Sequence, residues 1–246
     1  MLFDFTYYNP TRIHFGKDSL NNLKGELDNF GETVLLMYGK NSIKKIGLYD
    51  EIIKILNDGG KKVVELSGVM SNPTYSKVLE GGKLVRDNNV DLILAVGGGS
   101  VIDCAKAISV SAYCEGDAFT RYWMNFEPVN NKIIPVGSVL TMVGTGSEMN
   151  GNAVITKMDT NEKLGTGSDK LKPQVSILDP EYLYTLPAIQ TAAGTADIMS
   201  HIFESYFKKT KGAFVQDKFS EGLLETCIKY CPIALKDPKN MRQEQI

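Results

Sequence analysis

Three consecutive glycines, Gly97, Gly98 and Gly99, stand between an apolar run and an amphipathic one, and few folds accept that order. In DLILAVGGGSVIDCAKAIS, residues 91–109, the apolar run 92–96 suits a buried parallel strand, and Val101, Ile102, Ala105 and Ile108 recur at helical spacing. Strand, glycines and helix in that order make a phosphate cradle. Glycine lets the backbone turn sharply and approach a ligand without a Cβ in the way. The helix start then offers unpaired N–H groups and the positive end of its dipole to an anion. Ser100 and Asp103 also have the S-x-x-D spacing of a capping box. The box accounts for those two residues without a ligand, but not for three glycines, each of which costs chain entropy. The pattern is not G-x-G-x-x-G, since Ile102 stands where the third glycine belongs, and it lacks the G-K-[ST] ending of a P-loop. The residues by themselves therefore point to a nucleotide or a sugar phosphate.

A chain of 246 residues has room for one large or two ordinary domains. A net charge of −2 gives no reason to expect a nucleic-acid or anionic-membrane surface. No basic-then-apolar leader opens the sequence, and no apolar run approaches spanning length, so no membrane partner is expected. Cys104, Cys114, Cys227 and Cys231 form neither a metal ribbon nor a C-x-x-C pair, and Cys227 and Cys231, four apart on an expected helix, read as reduced, packed thiols. The expected location is the cytoplasm.

Along the chain, strand and helix patterns alternate. Residues 3–16, with Phe5, Tyr7 and Tyr8, read as a hairpin or two short strands broken at Asn9-Pro10. His14, alone on a strand, is given no role. A short helix is expected over 20–30, a strand over 33–38, a loop at Gly39-Lys40-Asn41-Ser42, and a helix over 45–57. A strand over 62–66, a loop with Asn72-Pro73 and a helix over 75–88 follow, and then the glycine unit. This alternation predicts an α/β fold with a parallel, doubly wound sheet, a Rossmann-like arrangement. Ligands on such sheets collect at the carboxyl ends of the strands. The loops at Gly39, Asn72 and Gly97 are three such ends, expected to share one crevice.

A further strand is expected over 133–136, followed by LTMVGTGSE, in which Thr141, Thr145 and Ser147 suit phosphate and ribose contacts. Strands over 153–156 and 175–178 flank a polar hairpin carrying Lys163, a surface lysine by default. From about Leu186 the pattern is helical, giving an expected division into an α/β domain, 1–186, and an incomplete all-helical domain, 187–246. Within GTADIMSHIFESYF, Asp197 and His201 are four apart and project from one helix face, with Glu204 three further on. A carboxylate and an imidazole so placed can ligate one divalent metal; chance pairing is an equal explanation of the spacing alone.

The blocks LAVGGGSVIDCAK, LTMVGTGSE, NEKLGTG, ILDPEYLYTLP and QTAAGTADIMSHIFESYF together make the chain resemble the iron-containing (group III) alcohol dehydrogenases, nearest their NAD(P)H-dependent butanol dehydrogenase branch. The resemblance implies an N-terminal nucleotide domain, a C-terminal helical domain, and metal-assisted interconversion of small aldehydes and primary alcohols by hydride transfer. Carried over by position, it implies cofactor contacts from Gly39, Ser42, Asn72, Gly97, Gly98, Gly99, Ser100, Thr141, Thr145 and Lys163. Asp103 would lie toward the nicotinamide, and Asp197 and His201 would be metal ligands, for Fe2+ or Zn2+. Many relatives carry an acidic residue where this chain has Gly39, followed by Lys40; losing that carboxylate favours acceptance of NADPH. A homodimer is likewise implied. Family members continue into a helical segment with further histidines, whereas this chain has only His14 and His201. It is therefore expected to be truncated at its C-terminus, exposing apolar faces around Phe203, Phe207, Leu223 and Leu224. The alternative expectation is a catalytically inactive nucleotide-binding fragment or degenerate copy.

Overall fold

The computed structural model describes residues 4, 6–208 and 212–239. Phe3, Phe5 and the tail from residue 240 onward lie outside them. In chain order the elements are β1 (Arg12–Phe15), α1 (Leu23–Leu27), β2 (Thr33–Tyr38), α2 (Ser42–Lys45), α3 (Leu48–Asp58), β3 (Lys62–Leu66), α4 (Tyr75–Asn88), β4 (Leu92–Gly97) and α5 (Gly99–Ser111). They continue with β5 (Val136–Leu140), β6 (Asn152–Lys157), β7 (Glu162–Gly167), β8 (Val175–Leu178), α6 (Ala188–Tyr206) and α7 (Phe214–Lys236). Two compact units result. The first runs to Thr141 and resumes over Gly146–Asp179; the second comprises Met142–Thr145 and the chain from Pro180 onward.

The first unit is built on a six-stranded sheet in the order β1-β8-β5-β4-β2-β3, every neighbouring pair parallel. Strands β2, β4 and β5 are buried along their whole length, which is why they read as unbroken apolar runs rather than alternating ones. The chain goes from β2 out to β3, then returns across β2 to β4. Right-handed crossovers therefore put α3 and α4 on opposite faces, and the direction of winding reverses between β2 and β4. Helix α4 packs on α5, and α1 on α3. A small antiparallel sheet, β6-β7, is backed by a wide helical turn, Phe119–Met124. Trp123 there stacks on Phe119 and donates its indole N–H to Ala153 O at 3.0 Å.

Several local expectations are corrected. The strand expected over 133–136 begins only at Val136, because Pro135 has no N–H for a ladder, although its carbonyl accepts from Ile93 N. Residues 153–156 and Lys163 belong to one hairpin, β6-β7, while β8 joins the main sheet. At the N-terminus the described residues form a single strand, β1, paired in parallel with β8. His14 and Arg12 project from it onto Glu26 of α1, at 2.8 and 2.9 Å. Burial pulls the Glu26 carboxyl upward, and those two partners outweigh it, holding the group below its ordinary pKa.

In the second unit α6 and α7 pack on each other. The Phe203 and Phe207 rings stack 5.4 Å apart, and Tyr206 OH donates to Glu221. Helix α6 buries only Gly194, and α7 buries nothing. Phe207, Phe214, Phe219 and Leu223 are exposed, while Phe203 and Leu224 are half-buried. All four cysteines are free. Among the described residues no helix is long and apolar enough to cross a membrane.

Candidate functional site

Strand β4 delivers Gly97 at its carboxyl end, and α5 starts two residues later. None of the three glycines has a positive φ, so no sharp turn explains them. Close approach explains the first: a Cβ on Gly97 would lie 2.5 Å from Val101 Cγ2. Gly98 is the residue before the helix, and its carbonyl accepts from Val101 N at 3.0 Å and Ile102 N at 3.3 Å. No side chain caps α5, so the capping box of Ser100 and Asp103 is not formed. Ser100 sits inside the first turn, and Asp103 is engaged elsewhere. An uncapped, half-buried helix start keeps its N–H groups and dipole available to a phosphate.

The strands on either side bring other candidates level with it. Tyr38 pairs with Val96, so Gly39 leaves β2 beside Gly97 at the point where the winding reverses. Gly97 pairs with Leu140, and the next residue, Thr141, donates its N–H to Gly97 O at 3.0 Å. Ser42, exposed, opens α2 just after Gly39. Asn72 takes a left-handed conformation with φ 55°. Pro73 O accepts from Thr156 N, and Thr156 pairs with Lys163 across the hairpin. Asn72 and the exposed Lys163 are thereby brought to one level of the small sheet, on either side of Thr156. Thr145, also exposed, belongs to the second unit.

Asp103, half-buried on the first turns of α5, makes two hydrogen bonds to the chain that follows β5. Its Oδ1 accepts from Ser147 Oγ at 2.5 Å and its Oδ2 from Val154 N at 3.0 Å. Burial raises its pKa, against the pull of those two hydrogen bonds and of Lys106. Lys106, one turn on, is fully buried and was missed in the sequence. Its ammonium donates to Asn150 O, Asn150 Oδ1 and Asn152 O at 2.8, 3.1 and 2.9 Å. Burial pushes it down to about 8, against the fields of Asp103 and Glu148. A lysine between Ala105 and Ala107 on an otherwise apolar face was the available signal.

In the second unit Asp197 and His201 meet on one face of α6, with Oδ1 and Nε2 3.8 Å apart and both side chains about half exposed. Two donors at ordinary metal distances in a tetrahedral site are about 3.3 Å apart, so a small closure lets the pair share one divalent ion. Gly144 lies against it: a Cβ there would be 3.0 Å from Asp197 Oδ2. Gly194, on the same helix, is pressed so closely that a Cβ would be 2.7 Å from Val143 O. Glu204 is exposed and does not join them, and among the described residues no group of three His, Cys, Asp or Glu could hold a metal. An apolar cavity of about 340 Å³ opens in the same unit, with Val143, Leu183, Ile198, Tyr230 and Ala234 among its walls.

The family model described as iron-containing alcohol dehydrogenase matches residues 10–180. NADH-dependent butanol dehydrogenase B of Clostridium acetobutylicum is 51% identical over 235 residues, covering 96% of this chain and 60% of that protein. The NADPH-dependent aldehyde reductase YqhD of Escherichia coli is 39% identical over 246 residues, covering 96% of this chain and 61% of that protein. The crystal structure of NADH-dependent butanol dehydrogenase A from Thermotoga maritima superposes with a TM-score of 0.91 at 40% identity, over 96% of this chain and 59% of that one. The chain thus spans about 60% of the length of the relatives it matches.

Proposed function

Since this chain belongs to the iron-containing alcohol dehydrogenase family, we propose that it serves an oxidoreductase that interconverts small aldehydes and primary alcohols by hydride transfer with NAD(P)H. The observation that carries the reading is the uncapped start of α5 behind Gly97, level with Gly39 and Thr141. The diphosphate would rest on the N–H groups of Gly99 and Ser100, with Thr141 beside it. Gly39 and Ser42 would face the adenosine ribose, and Asn72 and Lys163 would hold the dinucleotide from the small sheet. At Gly39 there is no carboxylate to repel a 2′-phosphate, and Lys40 follows. NADPH is therefore accepted as well as NADH.

Asp197 and His201 would hold a divalent ion, Fe2+ or Zn2+, since both ions accept oxygen and nitrogen donors. When bound, such an ion acts as a Lewis acid on a carbonyl oxygen. The chain's own part is to fix the geometry: the imidazole must be neutral to ligate, and the carboxylate lowers the net charge of the ion. The apolar cavity of the second unit supports a carbon-rich, uncharged substrate. Exposed Tyr7, Tyr8 and Phe15, on and before the edge strand β1, support a homodimer. Four free cysteines support a cytoplasmic location.

A second reading, a nucleotide-binding chain without catalysis, is favoured by the two-membered metal set among the described residues. Calorimetric titration with NADH and NADPH, then with Zn2+ or anaerobic Fe2+, separates the two. The oxidoreductase reading expects nucleotide binding, one tightly bound metal lost in Asp197→Ala and in His201→Ala, and oxidation of NAD(P)H with butanal. Nucleotide binding without metal or turnover selects the second reading, and no nucleotide binding defeats both.

A further inference from the structure

Asp103 and Lys106 lie one turn apart on α5, and both spend their bonds on the same stretch of chain, Ser147 to Val154. Asp103 takes its two ends, the Ser147 hydroxyl and the Val154 N–H. Lys106 takes its middle, with all three ammonium hydrogens matched to three oxygens of Asn150 and Asn152. The stretch is held from the sheet as well: Ser176 Oγ donates to Glu148 O at 2.6 Å, and Ser138 Oγ to Ser176 Oγ at 2.7 Å. It follows directly on the loop that starts at Thr141, and Thr141 is itself tied to Gly97 O. Both ends of that loop are thus fastened to the one strand–helix unit that forms the cradle, at Gly97 before it and at Asp103 one turn inside it.

Burying a carboxylate and an ammonium that bond other partners is costly, and an apolar pair would fill the same volume without that cost. What an apolar pair could not do is dictate where a polar loop attaches. We propose that Asp103 and Lys106 are positioning residues: they clamp Ser147 to Val154 so that Thr141 stays beside the α5 start, and they set dinucleotide affinity through that loop. This rests on the nucleotide reading above.

The full chain and four variants, Asp103→Asn, Ser147→Ala, their double, and Ser147→Thr, are titrated with NADH and NADPH by fluorescence, and amide exchange is followed over residues 146–154. The clamp expects Asp103→Asn and Ser147→Ala each to weaken binding about tenfold, the double to be no weaker than the worse single, and Ser147→Thr to recover affinity through its hydroxyl. Faster exchange at Val154 should accompany each loss. Wild-type affinity in Ser147→Ala beside a loss in Asp103→Asn would show that Asp103 acts without the clamp and overturn it. If the unsubstituted chain binds neither nucleotide, the nucleotide reading fails instead. Exchange then decides the clamp alone: acceleration in Asp103→Asn sustains it, and unchanged exchange overturns it.

Discussion

At Lys106 a single side chain carries two opposed consequences of burial. Its ammonium is fully enclosed and hydrogen-bonded three times, and burial lowers its pKa from the ordinary 10.5 to about 8. Between those values the unfolded chain keeps a proton that the folded chain has released, so stability rises with pH across that window. The rise is worth at most about 3 kcal/mol. Urea midpoints from pH 7 to 10 should climb less in Lys106→Met than in the unsubstituted chain; parallel curves would mean that this lysine titrates normally. Individual side chains are also where the sequence was least readable. Three glycines in a row announce a close approach, and Gly97 against Val101 is one. The S-x-x-D spacing of Ser100 and Asp103, however, fits a helix cap and a tertiary clamp equally well. Only the position of Ser147 and Val154, about 40 residues or more away along the chain, decides between them.

Elements were more legible, because their signals are local. Strands β2 and β3 and helix α4 fall where the apolar runs and the helical period put them. Strand β5 does not, since the Ile133-Ile134 pair is as apolar as a strand but is cut off by Pro135. The helix expected over 45–57 starts only at Leu48, and Gly47, whose φ of 80° no helix interior tolerates, separates it from α2. Helix α6 is the element on which the metal pair depends, and its contact with Met142–Thr145 is set by Gly194. Two effects compete in Gly194→Ala. Helix propensity favours alanine by about 1 kcal/mol, while the new Cβ would stand 2.7 Å from a backbone carbonyl that cannot rotate away. Overpacking of this kind costs roughly 1–3 kcal/mol, so the variant should be less stable overall. Thermal unfolding followed by helical ellipticity checks this, and a raised midpoint would show that the loop yields freely.

For the whole molecule, the two units differ in what they bury. The first encloses three strands completely and most of α5, whereas α6 and α7 together bury one glycine. Protection against exchange follows buried contact. Amides of α6 and α7 should therefore exchange well before those of β2, β4 and β5, and urea should melt the helical ellipticity of the second unit first. A single coincident transition for both units would contradict this. Alternating elements made the sheet legible as parallel, but its strand order was not, because order is decided by which distant strands meet. The meeting of β1 with β8 is the extreme case: Thr11 bonds Pro173 from 162 positions away. Strand β1 must accordingly wait for its partner until nearly the whole first unit has been synthesised. Closure of the sheet's edge is a late event in biogenesis, and a pause in translation before Val175 would leave Arg12–Phe15 open to pairing with a neighbouring nascent chain.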